Sequence, residues 1–219
     1  MTPSSALEFW GARHQTAPAD WAESYWNSSA RPYRTALIGA MRALGGGRSL
    51  SSALELGCNA GPNLRRVHEA WPNARLFGCD VNGHALAALR GYAQDEGWAS
   101  CLTLMEGAIE TQLASVTAGL SVDVVFSCYA LAYVSPHEIA RVIEQAVRLA
   151  RWGVVFLEPL GDLVAPDWRY PPPTPEWAHG YASLLAPYVG PGRSLTITRL
   201  VTPADGLNGL VSLEVAHGD

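Results

Sequence analysis

Residues 53–61 read ALELGCNAG. An apolar run carries Glu55 and then breaks into small residues, with Gly57 and Gly61 bracketing Cys58, Asn59 and Ala60. Pro62 and Asn63 open a polar stretch whose first apolar positions are Leu64 and Val67. The pattern predicts a strand, a tight glycine turn and a helix N-terminus. Glycine lets the backbone take unusual dihedrals and lets another group approach closely. A ligand at such a turn meets free backbone N–H groups and the positive end of a helix.

Outward from this stretch the chain alternates. Strands are predicted at 53–58, 75–80, 102–105, 122–127 and 154–157, and helices at 62–71, 82–92, 109–115 and 136–150. The run 122–127 is nearly all apolar, as expected of a parallel strand covered on both faces. Residues 159–175 hold six prolines with Trp168 and Tyr170 among them, and read as a long loop or lid. A short helix over 176–185 follows. Alternating runs at 194–201 and 209–216, with Asp205-Gly206 and Asn208-Gly209 in the connection, predict an antiparallel pair. Before residue 50 the character differs. Trp21, Tyr25, Trp26 and Tyr33 cluster, Asp20 offers an N-cap, and Pro32 opens a helix that Gly45–Gly47 stop. These aromatics either pack or wall a substrate pocket. The expected organisation is an N-terminal helical extension over 1–50 and one α/β domain over 51–219, an open sheet with helices on both faces.

Composition narrows the function classes. Of 219 residues 48 % are apolar and 16 % charged, so the chain is globular rather than disordered. Net charge is −5, and all 15 basic residues are scattered arginines, which gives no nucleic-acid footprint. No apolar run is long enough to span a membrane, and the N-terminus lacks the pattern of a signal peptide. Cys58, Cys79, Cys101 and Cys128 form no CxxC pair, which argues against a zinc site, and unpaired core cysteines imply a reducing, cytoplasmic setting.

A ligand at the turn should lie beyond the carboxyl ends of the strands, where the strand order switches. The turn is no phosphate loop, since GxxxxGK[ST] is absent and so is lysine. Asn59 stands where the dinucleotide fingerprint has its middle glycine. Glu55 suits a cationic ligand and repels a pyrophosphate. Asp80, ending the second strand, is placed to accept hydrogen bonds from vicinal ribose hydroxyls.

On these residues the chain resembles the class I S-adenosylmethionine-dependent methyltransferases. Glu55 to Gly61 resembles that family's first motif, Asp80 its ribose carboxylate, and Val122 to Ser127 its fourth motif. The resemblance implies a Rossmann-like seven-stranded, mostly parallel sheet with a C-terminal antiparallel hairpin. It implies S-adenosylmethionine as cofactor and transfer of its methyl to an oxygen or nitrogen of a small-molecule acceptor. Gly57, Asn59 and Gly61 would adjoin the methionine part, Asp80 with Val81 the ribose, and Gly107, Ala108 and Ile109 the adenine. Many relatives have an acidic residue where Ala108 stands, so the adenine amino contact is open between Glu106 and backbone groups. Arg34 would pair with the cofactor carboxylate, the alternative being a surface salt bridge, and Ser127 would lie beneath the methyl.

For the chemistry, Tyr133 stands where many small-molecule relatives carry a histidine. Candidate bases are Glu158, His179 and His137. Trp168, Tyr170 and Trp177 are candidates for an aromatic lid. The amino-methylating N/D-PP-Y/F motif is absent at Ser127, which argues against DNA adenine or protein glutamine acceptors. Two other readings are a cofactor-binding partner protein without turnover and an NAD-dependent oxidoreductase. Asn59 and the lack of a Tyr-x-x-x-Lys arrangement disfavour the latter. No membrane partner or metal is expected, and a homodimer is allowed.

Overall fold

The computed structural model describes residues 6–17, 19–116, 119–161, 167–168, 176–202 and 206–215. In chain order the N-terminal helices are α1 (Ala6–Gly11), α2 (Arg13–Thr16), α3 (Trp21–Trp26) and α4 (Pro32–Gly45). Then come β1 (Ser52–Leu56), α5 (Pro62–Ala70), β2 (Arg75–Asp80), α6 (Gly83–Asp95), β3 (Leu102–Glu106), α7 (Ile109–Val116) and β4 (Val122–Cys128). The remainder is α8 (Ile139–Leu149), β5 (Ala150–Pro159), β6 (Asp167–Trp168), β7 (Trp177–Ala178), α9 (Tyr181–Leu185), β8 (Leu195–Thr202) and β9 (Gly206–Glu214).

Seven strands form one sheet in the order β3-β2-β1-β4-β5-β9-β8. The first five pair in parallel, and β9 joins β5 and β8 antiparallel. Every residue of β1 is buried, which explains why its sequence is continuous rather than alternating. One sheet face packs Leu37, Leu64 and Leu86 of α4, α5 and α6. The other packs Leu113, Val142 and Leu185 of α7, α8 and α9. The chain leaves β1 toward β2 and β3, then crosses back to place β4 on the other side of β1. The carboxyl ends of β1 and β4 therefore border the crevice where such sheets bind ligands. Among the described residues no helix is long and apolar enough to cross a membrane.

The N-terminal aromatics divide between the two roles left open for them. Trp21 packs with Ala60 and Ala85, on the glycine turn and α6. Trp26 stacks on Tyr92 at 5.0 Å and joins the core. Tyr25 and Tyr33 instead line a cavity.

Two expectations fail at the C-terminal end. The helix expected over 176–185 is confined to Tyr181–Leu185, because Trp177–Ala178 pairs with Asp167–Trp168 as a two-stranded ribbon. Asn208-Gly209 is no turn. It lies inside β9, opposite Glu158 and Pro159 on one side and Arg199 and Leu200 on the other. Gly209 is required there by contact, since a Cβ would sit 2.2 Å from Leu160 Cδ1. Of the expected lid, Tyr170 lies outside the described residues, as does the side chain of Trp168. Trp177 is half-buried in β7.

Candidate functional site

The turn after β1 is folded onto the end of β2. Gly57 N and Cys58 N both donate to Cys79 O, at 2.9 and 3.0 Å, and Gly61 N donates to Cys58 O. Gly57 (φ 72°) and Gly61 (φ 80°) take left-handed backbone. A Cβ at Gly57 would lie 2.3 Å from Ala130 Cβ, and one at Gly61 2.2 Å from Leu89 Cδ1. Both glycines thus serve close packing as well as conformation. Among the described residues, two non-glycines share this backbone region, Asn59 (φ 49°) and Tyr129 (φ 57°). They stand at the ends of β1 and β4, and strained backbone gathers at binding sites. Asn59 Oδ1 accepts from Ala60 N at 2.7 Å, so its carbonyl closes the turn rather than facing outward.

Asp80 is organised by its neighbours. Its Oδ2 accepts from Asn59 N at 2.8 Å and its Oδ1 from Asn82 N at 2.9 Å. Burial raises its pKa, and the N–H groups of Asn82, Asn59 and Val81 oppose that rise. Asn82 also caps α6 through Ala85 N and donates from Nδ2 to Trp10 O at 2.8 Å. The N-terminal helix α1 is thereby fastened beside the carboxylate.

Arg34 is buried. Its Nε donates to Ser28 O at 3.0 Å, one terminal nitrogen to Ser28 Oγ at 2.9 Å, and the other to Asn63 Oδ1. These bonds use three of its five donors and leave one on each terminal nitrogen. Asn63 Nδ2 in turn donates to Glu55 Oε1 at 2.5 Å. Glu55 is fully buried behind Asn63. Burial pushes its pKa up to about 8, against the Asn63 hydrogen bond and the Arg34 charge. A carboxyl so placed steadies Arg34 through Asn63 and does not face a ligand directly.

A cavity of about 620 Å³ opens over this cluster. Of the residues singled out in the sequence, Arg34, Gly57, Asn59, Asp80, Val81, Gly107, Ile109 and Tyr133 line it. Glu55, Gly61, Ala108, Ser127, Glu158, His179 and His137 do not. The sequence reading missed Trp10, Asn63, Glu110, Glu176 and Asn208, all of which line it. Asn82 was missed as well, and its position ahead of α6 is a readable N-cap signal. Glu110 stands two residues beyond the expected acidic position at Ala108, at the start of α7.

The candidate bases require correction. Glu158 Oε1 accepts from Ser127 Oγ at 2.7 Å, Ala130 N at 3.1 Å and Leu131 N at 3.2 Å, and its Oε2 accepts from Ala132 N at 3.2 Å. It is a buried clamp on the turn that carries Tyr133, and Ser127 is part of that clamp. Burial raises the Glu158 pKa to about 7, and these four donors limit the rise. His179 is buried with Nε2 at 3.1 Å from Leu131 O and 3.2 Å from Val134 O. Two carbonyl partners require a proton on Nε2, and burial lowers the pKa, so the ring stands neutral. His137 is exposed, ahead of α8. Tyr133 does reach the cavity. Its hydroxyl donates to Glu176 Oε1 at 2.6 Å, and burial, with Glu176 next, drives its pKa upward. It is a fixed donor rather than a base.

A carboxylate, a guanidinium and a glycine turn surround one cavity at the strand switch of an open α/β sheet, the place where such sheets take their ligands. This is the Rossmann-like fold of the class I S-adenosylmethionine-dependent methyltransferases. Residues 53–153 match the family described as methyltransferase domain. The magnesium protoporphyrin IX methyltransferase of Synechocystis PCC 6803, solved with its cofactor bound, gives a TM-score of 0.62 at 14 % identity, over 84 % of this chain and 80 % of that one. An O-methyltransferase family protein from Burkholderia thailandensis gives 0.68 at 14 % identity, over 96 % of this chain and 64 % of that one. A geranyl diphosphate methyltransferase gives 0.60 at 12 % identity, over 83 % and 77 %. At these identities the structures establish the shared fold. No curated protein matches the chain.

Proposed function

We propose that the protein methylates an oxygen or nitrogen atom of a small-molecule acceptor held in the aromatic part of the cavity. The observation that carries this reading is that one cavity gathers both the cofactor-binding set and the rings of Trp10, Tyr25, Tyr33, Tyr129 and Tyr133. The residues present fit the cofactor by their chemistry. Asp80 accepts from the ribose hydroxyls, and the two remaining Arg34 donors suit a carboxylate. Gly57 and Asn59 border the methionine part, and Val81, Gly107 and Ile109 flank the nucleoside. Glu110 takes the adenine amino contact that Ala108 lacks the side chain to make. Bound S-adenosylmethionine supplies an electrophilic methyl on a sulfonium. The chain's own residues orient the acceptor against it and exclude water, which is most of what such a transfer needs. Residues 1–50 act as an extension that completes the cavity wall over the 51–219 domain.

The same reading puts the enzyme in the cytoplasm, supported by four free cysteines. It includes a homodimer, for which β8, last in the sheet order, offers an edge. Calorimetric titration with S-adenosylmethionine tests the cofactor site, and formation of S-adenosylhomocysteine across an acceptor panel tests transfer. Binding without turnover of any small acceptor would overturn the proposal in favour of a partner protein.

A further inference from the structure

We infer that the acceptor is an amine carried on a flat apolar body, and that the Tyr133–Glu176 pair is what selects it. The inference rests on the methyl-transfer reading above and names the acceptor class for that site.

Three observations converge on it. First, Glu176 places a half-buried carboxylate in the cavity wall. Tyr133 holds its Oε1, and among the described residues Oε2 has no hydrogen-bond partner. The phenol fixes the carboxylate in one orientation, which raises its worth as an acceptor for an ammonium N–H. Second, the surrounding wall is aromatic. Trp10 meets Tyr133 edge to face at 5.2 Å, and Tyr33 meets Tyr129 at 5.9 Å. Ring faces attract cations as well as apolar rings, and a carboxylate within an aromatic wall is a site for a cation with an apolar body. Third, among the described residues lining the cavity there is no imidazole and no lysine. A hydroxyl acceptor has to surrender its proton to a base as it reacts. His179 is committed to two carbonyls and His137 is outside, so neither serves. The bases left in the lining are carboxylates, too weak to take the proton of an alcohol, whereas an ammonium is far more acidic than an alcohol and can pass its proton to one.

The balance of charge agrees. Asp80, Glu110 and Glu176 line the cavity against Arg31 and Arg34, and Arg34 is bound by Ser28 and Asn63 and faces the cofactor carboxylate in the reading above. Glu176 is therefore left for the acceptor. In the reaction the ammonium gives one proton to the Glu176 carboxylate. The freed lone pair forms the new N–CH₃ bond while the methyl–sulfur bond breaks and its electron pair stays on sulfur. The product is the methylated ammonium and a neutral thioether.

Binding tests this without waiting for the natural acceptor. The protein is first saturated with S-adenosylhomocysteine, and that step is measured alone. Failure there overturns the cofactor reading itself. Phenethylammonium and 2-phenylethanol, matched in shape, are then titrated separately and followed by tryptophan fluorescence. The expected result is tighter binding of the ammonium by about tenfold or more, falling to parity in Glu176→Gln. Tyr133→Phe, which frees the carboxylate without removing it, should keep part of the preference and decides the matter if Glu176→Gln does not fold. Equal binding of the two probes, tighter binding of the alcohol, no binding of the ammonium, or a preference untouched by both variants overturns the proposal while leaving methyl transfer standing.

Discussion

At Asp80 both carboxylate oxygens already hold backbone N–H groups, from Asn59 and Asn82, and the carboxylate still lines the cavity. It shapes the turn before it meets any ligand. In Asp80→Asn one oxygen becomes an N–H donor facing another donor, and the charge is lost. Affinity for S-adenosylmethionine should fall about ten- to a hundredfold, corresponding to about 1.5–3 kcal/mol for charged hydrogen bonds, as read by calorimetric titration. An unchanged Kd would remove Asp80 from the cofactor site. Asp80 was legible because a carboxylate at the second strand's end has a chemical reason to be there. Glu55 was legible only as a charge near a turn. That Asn63 screens it from the cavity is a matter of side-chain packing, which no spacing encodes. Its burial has a consequence for stability. Unfolded, the group titrates near its ordinary 4.5, and folded it titrates near 8. Between those values the folded state binds more protons, so this contribution to stability is full below about pH 4.5 and is lost as pH rises to about 8. Glu55→Gln should gain urea midpoint over the parent between pH 6 and pH 9 and show little difference at pH 4.5. A gap that stays constant with pH would mean that Glu55 is charged in the fold.

Between strands and helices, the turn Leu131–Tyr133 shows how an element is positioned from beneath. Glu158 reaches from the end of β5 and receives three backbone N–H groups and the Ser127 hydroxyl. His179 holds the same turn through the carbonyls of Leu131 and Val134. A carboxylate and an imidazole near a strand end look alike in sequence whether they face a ligand or the backbone. Only the fold separates the two, and here both face the backbone. Glu158→Gln turns an NH₂ group toward an N–H donor and should cost about 1–3 kcal/mol in urea unfolding. Methyl transfer should slow, because Tyr133 is displaced, but the pH–rate profile should keep the parental shape. Loss of one limb of that profile would restore Glu158 as a base. The order of strands and helices from β1 to β5 was readable because each element buries a continuous or periodic apolar set. The strand β9 through Asn208-Gly209 was not. A turn-forming pair sits there in extended backbone because Leu160 occupies the space a Cβ would need.

For the molecule as a whole, the cavity is closed by parts that the sheet does not supply. Of the first two helices only Ala6 is buried, so α1 and α2 contribute little to the core. Their short, weakly periodic sequence gave no signal, and they went unread for that reason. Yet α1 brings Trp10 to Tyr133, and its backbone is tied to Asn82, the residue that also holds Asp80. A Cβ on Gly11 would lie 3.9 Å from Val81 O, so the segment lies directly against the end of β2 and the cavity wall there. Such a cover, lightly buried and fastened at the site, should govern ligand exit more than folding. Removing residues 1–17 should therefore lower unfolding free energy by only about 2–3 kcal/mol, since the described losses are Ala6, the partly buried Phe9 and Trp10 with its Tyr133 contact, and a few hydrogen bonds. Dissociation of S-adenosylhomocysteine, followed by stopped-flow fluorescence, should quicken about tenfold or more, as expected when about 1.4 kcal/mol of contact is withdrawn. A truncated protein that unfolds outright would place these helices in the structural core. One that releases the ligand at the parental rate would show that α1 rests on the site without holding anything in it.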